Sequence, residues 1–247
     1  MEKLLDLGIQ IVNYNTKKYT KKCIEDILAD LKDSNITYKI FVLDNDSKDD
    51  LSDLEKEYKG ENIVFLRSPK NGGFGYGHNI LAKTYDAKYM LLANPDIEFV
   101  EKDTIKRVYD YIEEHKKTVK VVGVNSNGPW THGTILPLNN LLLRLSLSFC
   151  IKTNKITEAS RVQGSFFIID KELFDKIGGF DENFFLYMEE IDLHFRILKL
   201  GYKIIYNPEI NIHHHGGVVA KKKNHMEKSR RYFLWKRLFK RHTENIL

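Results

Sequence analysis

Alternation between two periodicities is the feature that most constrains this chain. Residues 7–14, 38–43, 62–67, 89–93 and 119–124 are short apolar runs of strand type. Between them, residues 17–32, 51–58, 75–85 and 103–115 carry helical patterns. In the first of these, Cys23, Ile24, Ile27, Leu28 and Leu31 recur at spacings of three and four, which puts them on one helical face. Strands alternating with helices of this length predict an α/β fold with a mostly parallel sheet covered by helices. Such sheets bind ligands at the carboxyl ends of their strands. Asn13-Tyr14-Asn15, Asp44-Asn45-Asp46 and Asn94-Pro95-Asp96 each stand at such an end, so three polar clusters are expected to converge on one edge.

The 247 residues are enough for one domain with a full core. No apolar run reaches the roughly 20 residues needed to span a bilayer; the run over 141–151 is broken by Arg144. The only cysteines, Cys23 and Cys150, form no CxxC pair, so neither a disulfide framework nor a cysteine zinc site is indicated. A cytoplasmic location is expected. Residues 125–160 show no clear period and read as a variable insertion within a domain of residues 1–220. From Lys221 onward, ten Lys/Arg against two Glu give +8, while the preceding residues carry 29 Lys/Arg against 32 Asp/Glu, or −3. This tail, 221–247, reads as a basic amphipathic helix with Tyr232, Trp235, Leu238 and Phe239 on one stripe. An anionic membrane is the partner it suits best. Docking on the body comes next, and nucleic acid is not expected because the body is acidic and carries no recognition module.

The densest chemistry lies between Gly178 and Gly201, where Asp181, Glu182, Glu189, Glu190 and Asp192 crowd among Phe180, Phe184, Phe185 and Tyr187. Carboxylates among aromatics are costly to keep charged unless a cation or a mobile proton uses them. Asp192 and Arg196 stand four apart, a structural ion pair that leaves Glu189 or Glu190 for chemistry. Asp96, directly after an apolar strand, has the placement of a hard-cation ligand. Of the run His213-His214-His215, strand alternation lets either His214 alone or the two flanking histidines face one site, and a single imidazole could complete a metal shell begun by Asp96. The glycine-rich run from Asn71 to Asn79 allows close backbone approach to a phosphate or base, but its spacing is not the dinucleotide-binding fingerprint.

In sequence order, VNYN, LDNDS, NGGFGYGHN, LLANPD, GSFFIIDKELFDKIGGFDENFFLYMEEIDL and HHHGG resemble the family 2 glycosyltransferases, in particular their bacterial rhamnosyltransferase-like branch. The resemblance implies a GT-A fold, a Rossmann-like nucleotide-diphospho-sugar transferase architecture. It further implies a nucleotide-sugar donor such as dTDP-rhamnose or a UDP-sugar, a divalent metal (Mn2+ or Mg2+), and inversion at the anomeric carbon. A glycan or polyprenyl-diphosphate-linked acceptor in cell-surface polysaccharide synthesis would follow. Carried over residue by residue, it assigns the metal to Asp96 with His214, and the general base to Glu190 with Glu189 as the alternative. It puts Asp44 on the nucleotide base, and Asn13, Asn15, Asn71, Gly72, Gly73, Asn79, Asn94 and Gly164 in the donor pocket. Apart from the resemblance, Arg230 and Arg231 begin the tail helix soon after the histidine cluster and offer an alternative use of the tail, with Arg231 the candidate diphosphate contact. The competing expectation is a non-catalytic protein that binds sugar-nucleotides or polysaccharide.

Overall fold

The structure is a computed structural model and describes residues 4–126, 153–216 and 223–239. Most of the expected insertion lies outside the described residues. The first half follows the predicted alternation: β1 (Leu5–Asn13), α1 (Lys17–Leu31), β2 (Tyr38–Asp44), α2 (Ser52–Glu57), β3 (Ile63–Arg67), α3 (Phe74–Ala82), β4 (Ala87–Ala93), β5 (Ile97–Phe99), α4 (Thr104–Glu114) and β6 (Val119–Asn125). After the insertion come β7 (Thr157–Glu158), β8 (Phe166–Asp170), α5 (Lys171–Lys176), α6 (Glu189–Lys199), β9 (Lys203–His214) and α7 (Lys223–Phe239).

The described strands form one sheet in the order β3-β2-β1-β4-β8-β6-β9-β5, with β7 on β9. Strands β1 to β4 are mutually parallel, as are β6 and β9. The run over 166–170 is an antiparallel strand that periodicity had not separated from its surroundings, and it lies between β4 and β6. Its direction matters for the site. An antiparallel strand starts at the edge where its parallel neighbours end, so residues 161–165 are delivered to the carboxyl edge; the Asn94 N–H donates to the Ser165 carbonyl at 2.8 Å.

Strand alternation divides the core into two layers. One face carries Ile9, Ile11, Ile40, Val42, Leu91 and Ile168 and is covered by α1 and α4 through Ile24, Ile27, Ile105 and Val108. The other carries Met90, Leu92, Phe167 and Ile169 and is covered by α5 and α6 through Leu173, Phe174, Leu193 and Ile197. All of these side chains are buried, each contributing about 1.5–3 kcal/mol relative to exposure. Helix starts are satisfied from neighbouring elements. Asp49 accepts from the Lys17 N–H at 2.8 Å, and Asp30 accepts from the Thr104 and Ile105 N–H groups at 3.0 and 2.8 Å. Strand β9 skips residues 208–210 against β6, passing from the Val124–Asn207 pair to Asn125–Asn211. Pro208, which has no N–H to donate, sits in that irregularity. Beyond it β9 runs on to pair with β5.

Candidate active site

The three polar clusters do meet along the carboxyl edge, but their members divide into those that build it and those that face it. Asn13 builds it. The side chain is fully buried, its Nδ2 donating to Ser47 Oγ at 2.9 Å and its Oδ1 accepting from Thr16 Oγ1 and Thr20 Oγ1 at 2.9 and 2.8 Å. Asn15 ties the same loops together, its Oδ1 accepting from the Lys48 N–H at 2.8 Å. Asp44, half-buried at the end of β2, accepts from the Ser47 N–H at 3.0 Å. Asn45, in the middle of the second polar cluster, makes the decisive link. It is buried, and its Nδ2 donates to Asn71 Oδ1 at 3.1 Å and to the Gly73 carbonyl at 3.2 Å, joining β2 to the glycine-rich loop.

That loop owes its glycines mainly to protein packing. Gly73 has φ +93°, and a Cβ there would lie 1.9 Å from the Phe185 carbonyl oxygen. A Cβ on Gly75 would meet Phe180 at 2.8 Å, and one on Gly77 would meet Val12 at the same distance. Asn79 turns away from the edge and clamps the acidic segment: its Oδ1 accepts from the Phe180 N–H, and its Nδ2 donates to the Phe180 carbonyl and Glu182, all at 2.9 Å.

Asp96 and His214 come together. His214 Nε2 lies 3.2 Å from Asp96 Oδ1, and both side chains are largely buried. The antiparallel pairing of β5 with β9 makes this contact by setting Ile97 opposite His214. His213 and His215 lie on the other face, with ring centroids 4.5 Å apart. Gln163, which carried no signal in the sequence, holds the other imidazole nitrogen: its Nε2 is 3.4 Å from His214 Nδ1, and its Oε1 meets the buried Ser126 hydroxyl.

The next residue reaches the opposite wall. A Cβ on Gly164 would lie 3.6–3.8 Å from Cγ, Cβ and Cδ of Glu190. Consecutive Cα atoms are about 3.8 Å apart, so residues 163–164 link the Asp96–His214 pair to Glu190 through two adjacent backbone positions. Glu189 and Glu190 open α6, preceded by Tyr187 and Met188 at φ +71° and +75°. Glu189 is buried beside Gly75, and its Oε2 has no hydrogen-bond partner among the described residues. Burial, reinforced by the neighbouring Glu190 charge, pushes its carboxyl well above the usual carboxylate range. Glu190 is half-buried. Burial raises it too, opposed by N–H groups at the helix start and by the Arg161 guanidinium, a second residue that sequence reasoning missed. His194, one turn on, is no rival base: burial pushes it down to about 3.

Asp192 is fully buried and bonds Arg196 Nε at 2.9 Å, Lys236 Nζ at 3.0 Å and an Arg237 Nη at 3.1 Å. Helix α7 therefore docks on the body, and of the expected stripe Tyr232 turns inward, packing on Phe184 with ring centroids 4.8 Å apart, while Trp235 does not. Phe233 and Ser229 are buried, Trp235 is 47% exposed, and Leu238 and Phe239 fall outside the described side chains. Arg231 points outward and pairs with Glu227 at 2.8 Å.

An asparagine- and glycine-lined wall, an Asp–His pair and two helix-start carboxylates on one edge of an α/β sheet agree with what the family comparison finds. The model of glycosyl transferase family 2 matches residues 9–191. The chain belongs to this family. Family members with curated descriptions include the rhamnosyltransferase WbbL of Escherichia coli K12, 27% identical over 227 residues, 84% of this chain and 82% of that protein. An N-acetylglucosaminyl-diphospho-decaprenol L-rhamnosyltransferase of Mycobacterium tuberculosis is 39% identical over 54 residues, 22% of this chain and 18% of its own length. Among solved structures, the mannosyltransferase PcManGT of Pyrobaculum calidifontis, in complex with GDP-Man and Mn2+, superposes with a TM-score of 0.64 at 12% identity. It covers 90% of this chain, which spans 59% of that one. The likeness establishes the GT-A fold. Among the described residues, no helix is long and apolar enough to cross a membrane.

Proposed function

We propose that this chain is an inverting, metal-dependent glycosyltransferase. It would move a sugar, rhamnose from dTDP-rhamnose or a hexose from a UDP-sugar, onto a glycan or polyprenyl-diphosphate-linked acceptor in cell-surface polysaccharide synthesis. The observation that carries this reading is that adjacent residues 163 and 164 link the Asp96–His214 pair to Glu190, in a chain that family 2 matches over 9–191. The rhamnosyl donor and lipid-linked acceptor are suggested by the names of the relatives.

A divalent ion fits the Asp96–His214 pair. The two donor atoms are 3.2 Å apart, near the roughly 3 Å between adjacent ligands of an ion coordinated at about 2.1 Å. Among the described residues no third His, Cys, Asp or Glu joins them. When bound, the ion supplies positive charge to the departing diphosphate. Asp44 and the wall of Asn71, Gly72 and Gly73 would hold the nucleotide, with Asn45 fixing the wall and Asn13, Asn15 and Asn94 shaping the edge.

Of the two carboxyls, Glu190 is the one a substrate can reach. Burial raises both carboxyls, Glu189 well above the usual range, while the Arg161 guanidinium opposes the rise at Glu190, which makes Glu190 the more readily ionised of the two. As the acceptor oxygen bonds to the anomeric carbon, Glu190 takes the hydroxyl proton. The bond to the diphosphate oxygen breaks, and its electron pair leaves with the diphosphate. General-base catalysis contributes about 10²–10⁴-fold, so Glu190→Gln should lose transfer on that scale and retain donor affinity. The direct test is a panel of nucleotide-sugars with Mn2+ or Mg2+, scored for metal-dependent release of nucleoside diphosphate. No turnover of any donor, together with stabilisation by one of them, would instead favour the non-catalytic binding protein.

A peripheral membrane role would use the outward face of α7, where Lys228, Arg230 and Arg231 are exposed. Each basic residue near an anionic surface contributes about 1 kcal/mol. Salt-sensitive co-sedimentation with anionic but not neutral vesicles is expected.

A further inference from the structure

We propose that α7, which lies wholly outside the residues matched by the family model, is a positioning element of the catalytic unit that holds the Glu189–Glu190 helix start in its working conformation. The proposal rests on the reading of these glutamates given above.

The segment that needs holding is strained. Tyr187 and Met188, side by side, have φ of +71° and +75°. Residues with side chains occupy that region at a cost, and two in succession persist only where the surroundings over-determine them. On the interior side, the Phe185 carbonyl accepts from the Phe74 N–H at 3.0 Å, and Asn79 grips Phe180. On the other side, α7 supplies the contacts. Ser229 Oγ donates to the Leu186 carbonyl at 2.8 Å, directly before the strained pair. Phe233 packs in one buried cluster with Phe184 and Met188, and His225 stacks on Phe185 with ring centroids 4.8 Å apart.

Charge completes the clamp. Lys236 bridges the two ends of the segment, 2.6 Å from Asp181 and 3.0 Å from Asp192, while Tyr232 donates to Asp181 at 3.0 Å. Lys236 holds Asp181 below the usual carboxylate range, at about 2, against the opposing effect of burial. Arg237 reaches the other Asp192 oxygen. Two cations of a basic tail are thus turned inward, at 17% and 14% side-chain exposure. They sit on carboxylates flanking Glu189 and Glu190, where burying them serves the turn and not solubility.

The test is Lys236→Met with Arg237→Met, in the full chain, beside Ser229→Ala and the conservative pair Lys236→Arg with Arg237→Lys. Two readouts apply: hydrolysis of dTDP-rhamnose with Mn2+, and deuterium uptake over residues 181–192. We expect the methionine pair to lose at least tenfold in kcat with donor KM within twofold, and to exchange faster over 181–192 but not over β1 or β4. The conservative pair should recover kcat to within threefold. Ser229→Ala, the milder change, should show the same direction. Unchanged kcat and uptake in the methionine pair would overturn the proposal. So would a loss in which kcat and KM change together with sheet-wide exchange, since that is plain unfolding. If Glu189→Gln and Glu190→Gln both hydrolyse donor at the wild-type rate, the catalytic reading fails instead. Uptake over 181–192 then still reports on the clamp.

Discussion

Replacing Asp192 with asparagine changes no volume and removes one charge from the centre of the ionic cluster beneath α7. Its two oxygens receive three cationic donors within 3.1 Å, and none of the side chain is exposed. Removing one partner of a buried ion pair costs about 3–5 kcal/mol. Two features move the estimate to the lower end. Arg196 keeps the Ile177 and Gly179 carbonyls at 2.8 and 2.6 Å, and Lys236 keeps Asp181. The asparagine carbonyl still accepts one bond. Arg237 loses this carboxylate and keeps its stacking on Phe195, its guanidinium carbon 3.4 Å from the ring centroid. A loss of about 3 kcal/mol follows, which at roughly 2–4 °C per kcal/mol for a chain of this length lowers Tm by ~6–12 °C. Urea unfolding followed by circular dichroism, with a thermal melt beside it, measures both. In an Arg237→Met background the same substitution should cost about 1–2 kcal/mol less, because contacting groups are not additive. A single-mutant loss below about 1 kcal/mol, or strict additivity in the double mutant, would refute the reasoning.

Asp96→Ala should abolish Mn2+-dependent binding of nucleoside diphosphate in a calorimetric titration; unchanged affinity would remove Asp96 from the metal. Gln163→Leu frees His214 to rotate, and partners of that kind affect metal affinity by about 10–100-fold. The same titration should therefore show a weaker Mn2+ response with the fold intact by circular dichroism. Glu189→Gln tests the buried carboxyl through pH. A carboxyl raised in the folded state binds its proton more tightly there, so its contribution is intact below the unfolded pKa and is lost as pH rises toward the folded one. The glutamine variant should accordingly match wild type in urea at about pH 4 and exceed it at pH 7.5; equal stability at both would show that Glu189 is not strained by burial. For Glu190 the same upward direction predicts that the acid limb of kcat lies above the usual carboxylate range.

The order of strands and helices through β6 was legible because each element has a one-dimensional period and a clear polar end. Strand ends carrying Asn13, Asp44 and Asn94 point to one carboxyl edge, and the structure gathers them there. An imidazole beside Asp96 was expected from the chemistry of the two residue types, whereas alternation left His214 and the flanking pair both open and only the family resemblance pointed to His214. What a side chain does at that edge was another matter, since asparagine reads alike whether it faces a ligand or ties two loops. Only the tertiary structure showed Asn13 and Asn79 spent on the protein itself, and Asn45, Arg161 and Gln163 brought to the site by partners between 26 and 51 positions away or, for Arg161, by the antiparallel entry of β8. The tail makes the same point. Composition determined that it is a basic helix with aromatic residues, but a helix has several faces. Which one is buried was decided by Asp181 and Asp192, whose charges, enclosed by the fold, needed Lys236 and Arg237 beside them.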